Sequence, residues 1–219
     1  MNKSSLISSK MQGIDEETCV ELLKLAYESV KSGIDNSRRE FHRDPAQYDY
    51  RTAKAVWMNA QIKKLFQEAF IKSSLRTKVK HLKSHGVDYY LLDGKMLLCF
   101  KKMDYRNRVS GFYSKRFRDA LSGNAVHYSK SMLDNLSRMG ISKPLPIYYI
   151  GHILDKANRL VDVRLVNYED MKIKVLQSLS ILFSPNLFSV NASKSDTDES
   201  DNNLVRLRPD INIKKPRSK

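Results

Sequence analysis

The strongest folding signal in this sequence is a β-hairpin over residues 87–103. Two apolar segments, VDYYLL and KMLLCFKKM, are joined through the pair Asp93-Gly94, which suits the positive φ angles of a type I′ turn. An isolated hairpin is only marginally stable in water, so it needs a packed partner. The sequence therefore predicts that this hairpin belongs to the core and that Leu92, Leu98 and Phe100 help to bury it.

A second hairpin is predicted where IYYIGHIL and RLVDVRLV flank the turn DKAN. In its return strand Val161, Val163 and Leu165 alternate with Asp162 and Arg164, which predicts a strand with one buried and one solvent-exposed face. The two hairpin sequences are not alike, and we expect no internal repeat beyond the hairpins themselves. His152 lies inside the apolar run and is interpreted as a hydrogen-bonded sheet residue rather than a base.

The N-terminal half is predicted to be helical. Asp15 can cap a first helix, and Gly33 is expected to end it. The polar stretch 37–50 is interpreted as a loop or the start of a helix. A long amphipathic helix is predicted over residues 48–73, and its pattern can continue or restart as far as Gly86. The predicted apolar face of this helix consists of Ala53, Val56, Trp57, Ala60, Leu65, Phe66, Ala69 and Phe70.

These elements predict an α+β fold, in which an N-terminal helical half packs on a small, mainly antiparallel sheet of two hairpins, followed by a disordered C-terminal tail. Shorter helices are expected around residues 115–121 and 131–139. In residues 171–190 the spacing of apolar residues is first that of a strand and later that of a helix, so the secondary structure of this segment stays open. The predicted boundaries are a flexible start at 1–14, a single α+β domain at 15–190 (helical half 15–85, hairpin-containing half 86–190) and a disordered tail at 191–219.

Positive charge is the clearest functional feature of the chain. Lys and Arg number 39 against 24 Asp and Glu, giving a net charge of +15, and such an excess attracts acidic partners. Residues 72–118 contain thirteen Lys or Arg and three Asp, so this stretch alone carries +10. Cations can neutralise phosphates and interleaved aromatic rings can stack on bases, although a solvated rim is the competing interpretation. The predicted nucleic-acid-binding residues are Lys101, Lys102, Arg106, Arg108, Tyr113, Lys115, Arg116 and Arg118.

Motifs for catalysis and metal binding are weak. The sequence contains no GxGxxG, GxxxxGK[ST] or GxSxG motif. His81 and His85 have a spacing that can hold a metal on a helix, but the Glu of an HExxH site is missing. We therefore predict no metal and no cofactor, and binding is favoured over catalysis. Cys19 and Cys99 lie in apolar patterns and are expected to be buried thiols.

The sequence predicts a soluble, cytoplasmic protein. Its N-terminus lacks the apolar centre of a signal peptide. No apolar run approaches the roughly 18 to 20 residues that cross a bilayer, so no membrane span is expected.

One resemblance concerns the order of the segments. An N-terminal helical region is followed by YYLLDGKMLLCFKKMD, RNR and LPIYYIGHILDKANRLVDVRLV. This order resembles uncharacterised prokaryotic mobile-element proteins encoded beside ImmA/IrrE-type peptidase-regulators, in toxin-antitoxin or phage-defence pairs. The similarity covers about residues 80–170 and identifies no active-site residue. It implies a toxin or partner subunit held in check by a cognate regulator or antitoxin protein.

Together these features predict a basic accessory protein of prokaryotic or phage type that binds nucleic acid, either DNA or RNA. Two alternatives remain open. One is a metal-independent RNase-like toxin that uses His42, His81 or His85. The other is a protein-protein adaptor whose basic face meets an acidic regulator.

Overall fold

The structure is a computed structural model that describes residues 11, 13–46, 50–84, 86–109, 130–142, 145–169 and 172–184. It confirms the α+β class. The predicted helix around 115–121 and the predicted tail at 191–219 lie outside these ranges. In chain order the elements are α1 (Glu16–Arg43), α2 (Arg51–Lys72), a 3₁₀ helix (Ser74–Thr77), β1 (Val79–Ser84), β2 (Val87–Leu92), β3 (Met96–Met103), α3 (Lys130–Arg138), β4 (Ile147–Leu154), β5 (Leu160–Glu169), β6 (Lys172–Ser178) and α4 (Leu179–Phe183).

The described strands form one mixed sheet in the order β1-β2-β3-β4-β5-β6. All neighbouring pairs are antiparallel except β3 and β4, which run parallel. Both predicted hairpins are present as β2-β3 and β4-β5. Asp93 and Gly94 have φ angles of 48° and 68°, as the predicted type I′ turn requires. The expectation of a sheet made from two hairpins alone is wrong, because β1 and β6 extend it on both sides.

The prediction that Gly33 ends the first helix is wrong. Helix α1 starts at the predicted cap, Asp15, but continues to Arg43 through much of the stretch expected to be a loop. A Cβ atom at Gly33 would lie 2.8 Å from Ile62 Cγ1 and 2.9 Å from Ile62 Cα. Gly33 therefore allows the backbones of α1 and α2 to approach closely, and its role is packing rather than termination.

The predicted continuation of helix toward Gly86 is also wrong. Helix α2 ends at Lys72, and residues 79–84 pair with β2 along their whole length. The buried positions of β1 are Val79, Leu82 and Ser84, and the three-residue step between the first two imitates a helical pattern. Pairing with β2 is a tertiary contact that overrides this local signal.

The segment whose type was open divides into two elements. Residues 172–178 form β6, and residues 179–183 form the short helix α4. Ser178 joins them, since its Oγ accepts a hydrogen bond from the Ile181 backbone N–H at 3.2 Å. Strand period followed by helix period therefore reflects a real change of structure within the segment.

The core lies on both faces of the sheet. Helices α1 and α2 cover one face, where the ring centroid of Phe66 lies 4.7 Å from that of Tyr90 and 5.0 Å from that of Phe100. Helix α3 covers the other face through Met132 and Leu136. The sheet is thus the middle layer between the α1-α2 pair and α3.

The predicted core residues of the first hairpin are confirmed. Leu92, Leu98 and Phe100 are 1 %, 0 % and 3 % exposed. The two cysteines are also buried and free, as expected. Met11 and Ile14 are buried in the same core as α1, so the packed structure begins before the helix cap.

Candidate nucleic-acid interface

Two loops of the same design follow the parallel strands β3 and β4. The first, DYRNR, occupies residues 104–108, and the second, DKANR, occupies residues 155–159. In each loop the backbone N–H of the Asp donates to the carbonyl oxygen of the Arg at 3.0 Å. The Asn before that Arg, Asn107 or Asn158, has a φ of 61° or 57°, a conformation that Asn tolerates better than most residues.

The second loop is organised by Asp155. Its Oδ1 accepts hydrogen bonds from the backbone N–H groups of Ala157 and Arg159 at 2.8 Å, and its Oδ2 accepts from Arg159 Nε at 2.6 Å. The backbone and side-chain hydrogen bonds from Arg159 lower the pKa of Asp155 below its usual value. The negative charge of Asp155 is thereby paired with Arg159 of the same loop.

Asp104 organises the first loop in the same way. Its Oδ1 accepts from the backbone N–H groups of Arg106 and Arg108 at 2.9 Å, and its Oδ2 accepts from Arg108 Nε at 2.8 Å. The loop is also tied to the sheet, because Arg164 Nη1 donates to Asn107 Oδ1. Two internally hydrogen-bonded loops therefore follow two neighbouring strands.

The parallel pairing of β3 with β4 places both loops at one edge of the sheet. Met103 pairs with Ile153, so the two loops begin within one residue of each other along the ladder. The expectation of no further internal repeat is therefore wrong. The shared D-x-x-N-R pattern at 104 and 155 was visible in the sequence, but one copy follows a hairpin and the other is the turn of a hairpin.

A cleft of about 790 Å³ opens between the N-terminal half of α2 and this edge of the sheet. Lys54 comes from α2, Lys102 from β3 and Lys156 from the second loop, so three separate elements bring cations to it. Among the described residues of the lining, Asp155 is the one carboxylate, and its loop already engages it. The lining consists of Thr52, Lys54, Ala55, Val56, Met58, Asn59, Phe100, Lys101, Lys102, His152, Leu154, Asp155, Lys156 and Asn158.

His152 forms part of the cleft wall. It is 4 % exposed and alternates with Ile150 and Leu154 on the face of β4 that the helices cover. Burial, with a further contribution from the charge of Lys102, lowers its pKa to about 4, so the imidazole is neutral near pH 7. Its Nδ1 is buried without a hydrogen-bond partner among the described residues. The residue lies in the sheet as expected, but the hydrogen bonding expected of it is missing at Nδ1.

Exposed apolar side chains flank the cleft. Val56 is 64 % exposed, Trp57 is 36 % exposed and Ala60 is also exposed, so the predicted apolar face of α2 is wrong at these three positions. The buried positions repeat every four residues from Met58 to Phe70, and Val56 and Trp57 lie off that line. In the first loop, Tyr105 is 66 % exposed and its hydroxyl donates at 3.3 Å to the carbonyl oxygen of Leu154, a residue of the cleft lining.

The structure separates the predicted binding residues into groups. Lys101 and Lys102 both line the cleft. Lys102 lies on the same face of β3 as Phe100, and Lys101 alternates onto the other face. Arg106 is exposed in the first loop, and Arg108 is engaged by Asp104, with Nη2 at 2.7 Å from Oδ2. The other four predicted residues lie outside the described residues, and their role stays a prediction. They are Tyr113, Lys115, Arg116 and Arg118.

Sequence reasoning missed Lys54, Lys156 and His152. The two lysines are isolated along the chain and are brought together by the packing of α2 beside the β4-β5 turn. Conversely, some cations of the basic stretch have structural roles at the opposite end of the sheet. Lys78 Nζ donates to Thr18 Oγ1 at 2.6 Å, and Lys95 Nζ donates to the Gly13 carbonyl oxygen at 2.6 Å. Lysines that are close together in the sequence are therefore not all close together in the folded chain.

His81 lies in strand β1. A metal site formed by His81 and His85 requires the two residues to lie on one helix, so this arrangement is not present at His81. His81 Nε2 lies 2.9 Å from Asp88 Oδ1, and Lys63 Nζ lies 2.5 Å from Asp88 Oδ2. This cluster ties α2 to the β1-β2 hairpin. His85 lies outside the described residues. Within the ranges that the structure covers, no group of three or more His, Cys, Asp or Glu side chains could hold a metal ion.

We expect Asp88→Asn to lower the free energy of unfolding by about 1 to 2 kcal/mol at pH 7, because Lys63 and His81 lose the carboxylate that they contact. Burial raises the pKa of Asp88, but the hydrogen bonds from Lys63 and His81 outweigh it, and the pKa lies below the ordinary value of 3.8. The contribution is therefore present above pH 3.8 and lost as pH falls through the folded-state pKa. Urea unfolding of both proteins between pH 7 and pH 3 should show the difference shrinking, and a difference that grows on acidification would contradict this.

Comparison with protein-family models, with curated proteins and with solved structures finds no match for this chain. None of the helices in the described part of the chain has the length and apolar character needed to cross a bilayer. Function is therefore inferred from the geometry and charge of the cleft.

Proposed function

We propose that this chain is a basic accessory protein that binds nucleic acid through the cleft between α2 and the ends of β3 and β4. The observation that carries the proposal is the convergence of Lys54, Lys102 and Lys156 from three separate elements. Ammonium groups neutralise phosphates as compact point charges. The carboxylate of Asp155 is already engaged by its own loop, so it opposes an anionic ligand less than an unpaired carboxylate would.

The surroundings of the cleft support a nucleic acid rather than a small anion. Two aromatic residues expose ring surface: Trp57, which follows the lining residue Val56 in the chain, and Tyr105, which donates a hydrogen bond to the lining residue Leu154. Aromatic rings give stacking surfaces for unpaired bases. Arg106 is exposed in the neighbouring loop. The net charge of +15 adds a long-range attraction for any polyanion. Tyr113, Lys115, Arg116 and Arg118 remain proposed nucleic-acid-binding residues.

The proposed setting is the cytoplasm of a prokaryotic host, in a toxin-antitoxin or phage-defence system. Its support is the resemblance of residues 80–170 to proteins encoded beside ImmA/IrrE-type peptidase-regulators. A cognate regulator or antitoxin protein is the proposed protein partner. In that setting, nucleic-acid binding would be the activity that the partner controls.

One observation favours a second candidate function. Val56 is 64 % exposed and lies beside the cationic cleft. An apolar side chain next to cations also suits a protein surface that combines apolar and acidic groups. The second candidate is therefore an adaptor that binds an acidic regulator protein at this same cleft.

Direct binding tests the first proposal. We expect the full-length protein to bind fluorescently labelled DNA or RNA of mixed sequence at low salt, measured by anisotropy. Each neutralised phosphate contributes a log-log salt slope of about −0.7 to −0.9, so three lysines contribute about −2 to −3. Absence of binding to every single- and double-stranded probe at low salt would contradict the proposal and favour the adaptor.

A further inference from the structure

We propose that the cleft holds one unpaired nucleotide, so that the protein prefers single-stranded nucleic acid over a duplex. This inference rests on the proposed function and makes it more specific. Its basis is the combination of cleft size, apolar wall, cationic rim and a buried neutral histidine. Each of these features selects for a different part of a nucleotide.

The size and walls of the cleft fit a base together with its phosphate. A volume of about 790 Å³ lies within the range of about 300 to 1,000 Å³ found for pockets that bind small organic ligands, and it exceeds what a phosphate ion alone needs. Phe100, Leu154 and Met58 supply apolar wall surface. The lysines come from the surrounding elements, so a ligand can place a flat apolar ring inside and a charged group toward them.

Polar groups of the wall can recognise the edge of a base. Neutral His152 offers one N–H donor and one acceptor nitrogen, and its Nδ1 has no partner among the residues described. A buried polar atom without a partner is unfavourable, so a base that reaches this nitrogen after a local side-chain shift gains a hydrogen bond there. Asn59 and Asn158 also line the cleft, and their amides can both donate and accept.

A duplex cannot use these groups without being opened. The bases of a duplex are stacked and paired, so a base reaches a concave site only when it is unpaired or extruded. A duplex would still interact with the exposed cations through its phosphates. The cleft therefore predicts two modes of binding, which differ in whether a base enters.

Blocking the cleft without removing a cation separates these modes. Ala55 and Ala60 are both exposed alanines of α2, but only Ala55 is among the described residues of the lining. In the full-length protein we expect Ala55→Trp to weaken binding of a labelled single strand about tenfold, as loss of one base contact does. Duplex binding should change less than about twofold, and the control Ala60→Trp should change neither. Unfolding midpoints check that both variants are folded.

A competition experiment gives an independent readout. A nucleoside monophosphate should displace the labelled single strand at a lower concentration than inorganic phosphate does. Equal competition by the two, or equal effects of Ala55→Trp on single-strand and duplex binding, would overturn the nucleotide site while leaving nucleic-acid binding intact. Absence of binding by the unmodified protein to either probe would instead refute the proposed function itself.

Discussion

Replacing Phe100 with Ala is expected to lower the free energy of unfolding by about 3 to 5 kcal/mol. Phe100 is 3 % exposed, and its ring centroid lies 5.0 Å from that of Phe66 and 5.8 Å from that of Tyr90. Truncation removes a ring from the interface between α2 and the sheet, and the rigid neighbours cannot fully close the cavity. The loss is therefore larger than the transfer of the ring to water alone would give.

The control for this substitution is Tyr50→Ala. Tyr50 is 79 % exposed, so its removal should change stability by no more than about 0.5 kcal/mol. Urea unfolding of the three proteins measures both effects at once. A midpoint for Phe100→Ala equal to that of the unmodified protein would show that β3 does not form the core described here.

The second large effect is expected at the cleft. Changing Lys54, Lys102 and Lys156 to Gln should weaken nucleic-acid binding about tenfold or more at low salt, because three phosphate-neutralising charges are removed together. Thermal stability should change little, since Lys102 and Lys156 are exposed and exposed charges contribute little to folding. Lys54 is half-buried with its Nζ 6.0 Å from the Phe41 ring centroid, and such a cation–π contact contributes about 0.5 to 1 kcal/mol. Anisotropy titrations and thermal unfolding of the same preparations measure the two quantities.

A remote triple variant controls for the general effect of lost positive charge. Lys24 and Lys31 lie on α1 and Lys72 ends α2; all three are exposed and none is among the described residues of the cleft lining. Lys63 is unsuitable for this purpose because it binds Asp88. Equal losses of affinity in the two triple variants would indicate binding spread over the whole basic surface.

Much of the fold could be predicted from the sequence where local signals and packing agree. The Asp93-Gly94 turn specifies the first hairpin, and the second hairpin also forms as predicted. The predicted alternation in its return strand is wrong at Val161, which is 40 % exposed, and at Asp162, which is buried and accepts hydrogen bonds from Arg164 and Ser178. The role of Gly33 could not be predicted in this way, because a glycine is needed there only where the backbone of Ile62, on another helix, approaches it. Strand β1 was missed for a related reason, since only its pairing with β2 distinguishes it from a continued helix.

Little of the candidate site could be predicted, because the cleft depends on the order of strands in the sheet. The parallel pairing of β3 with β4 aligns the loops at 104–108 and 155–159. No local sequence pattern predicts that these two strands pair in parallel. Lys102 was predicted from charge clustering. Lys54 and Lys156 lie outside the basic stretch, and only the folded chain shows them at one cleft.

The salt dependence of binding tests the central claim most directly. Association constants for one labelled oligonucleotide would be measured over a series of salt concentrations for the unmodified protein, the cleft variant and the remote variant. The cationic cleft predicts that the log-log slope of the cleft variant is shallower by about 2 to 3, while the remote variant keeps the slope of the unmodified protein. Identical slopes for the two variants would contradict a localised nucleic-acid site at this cleft.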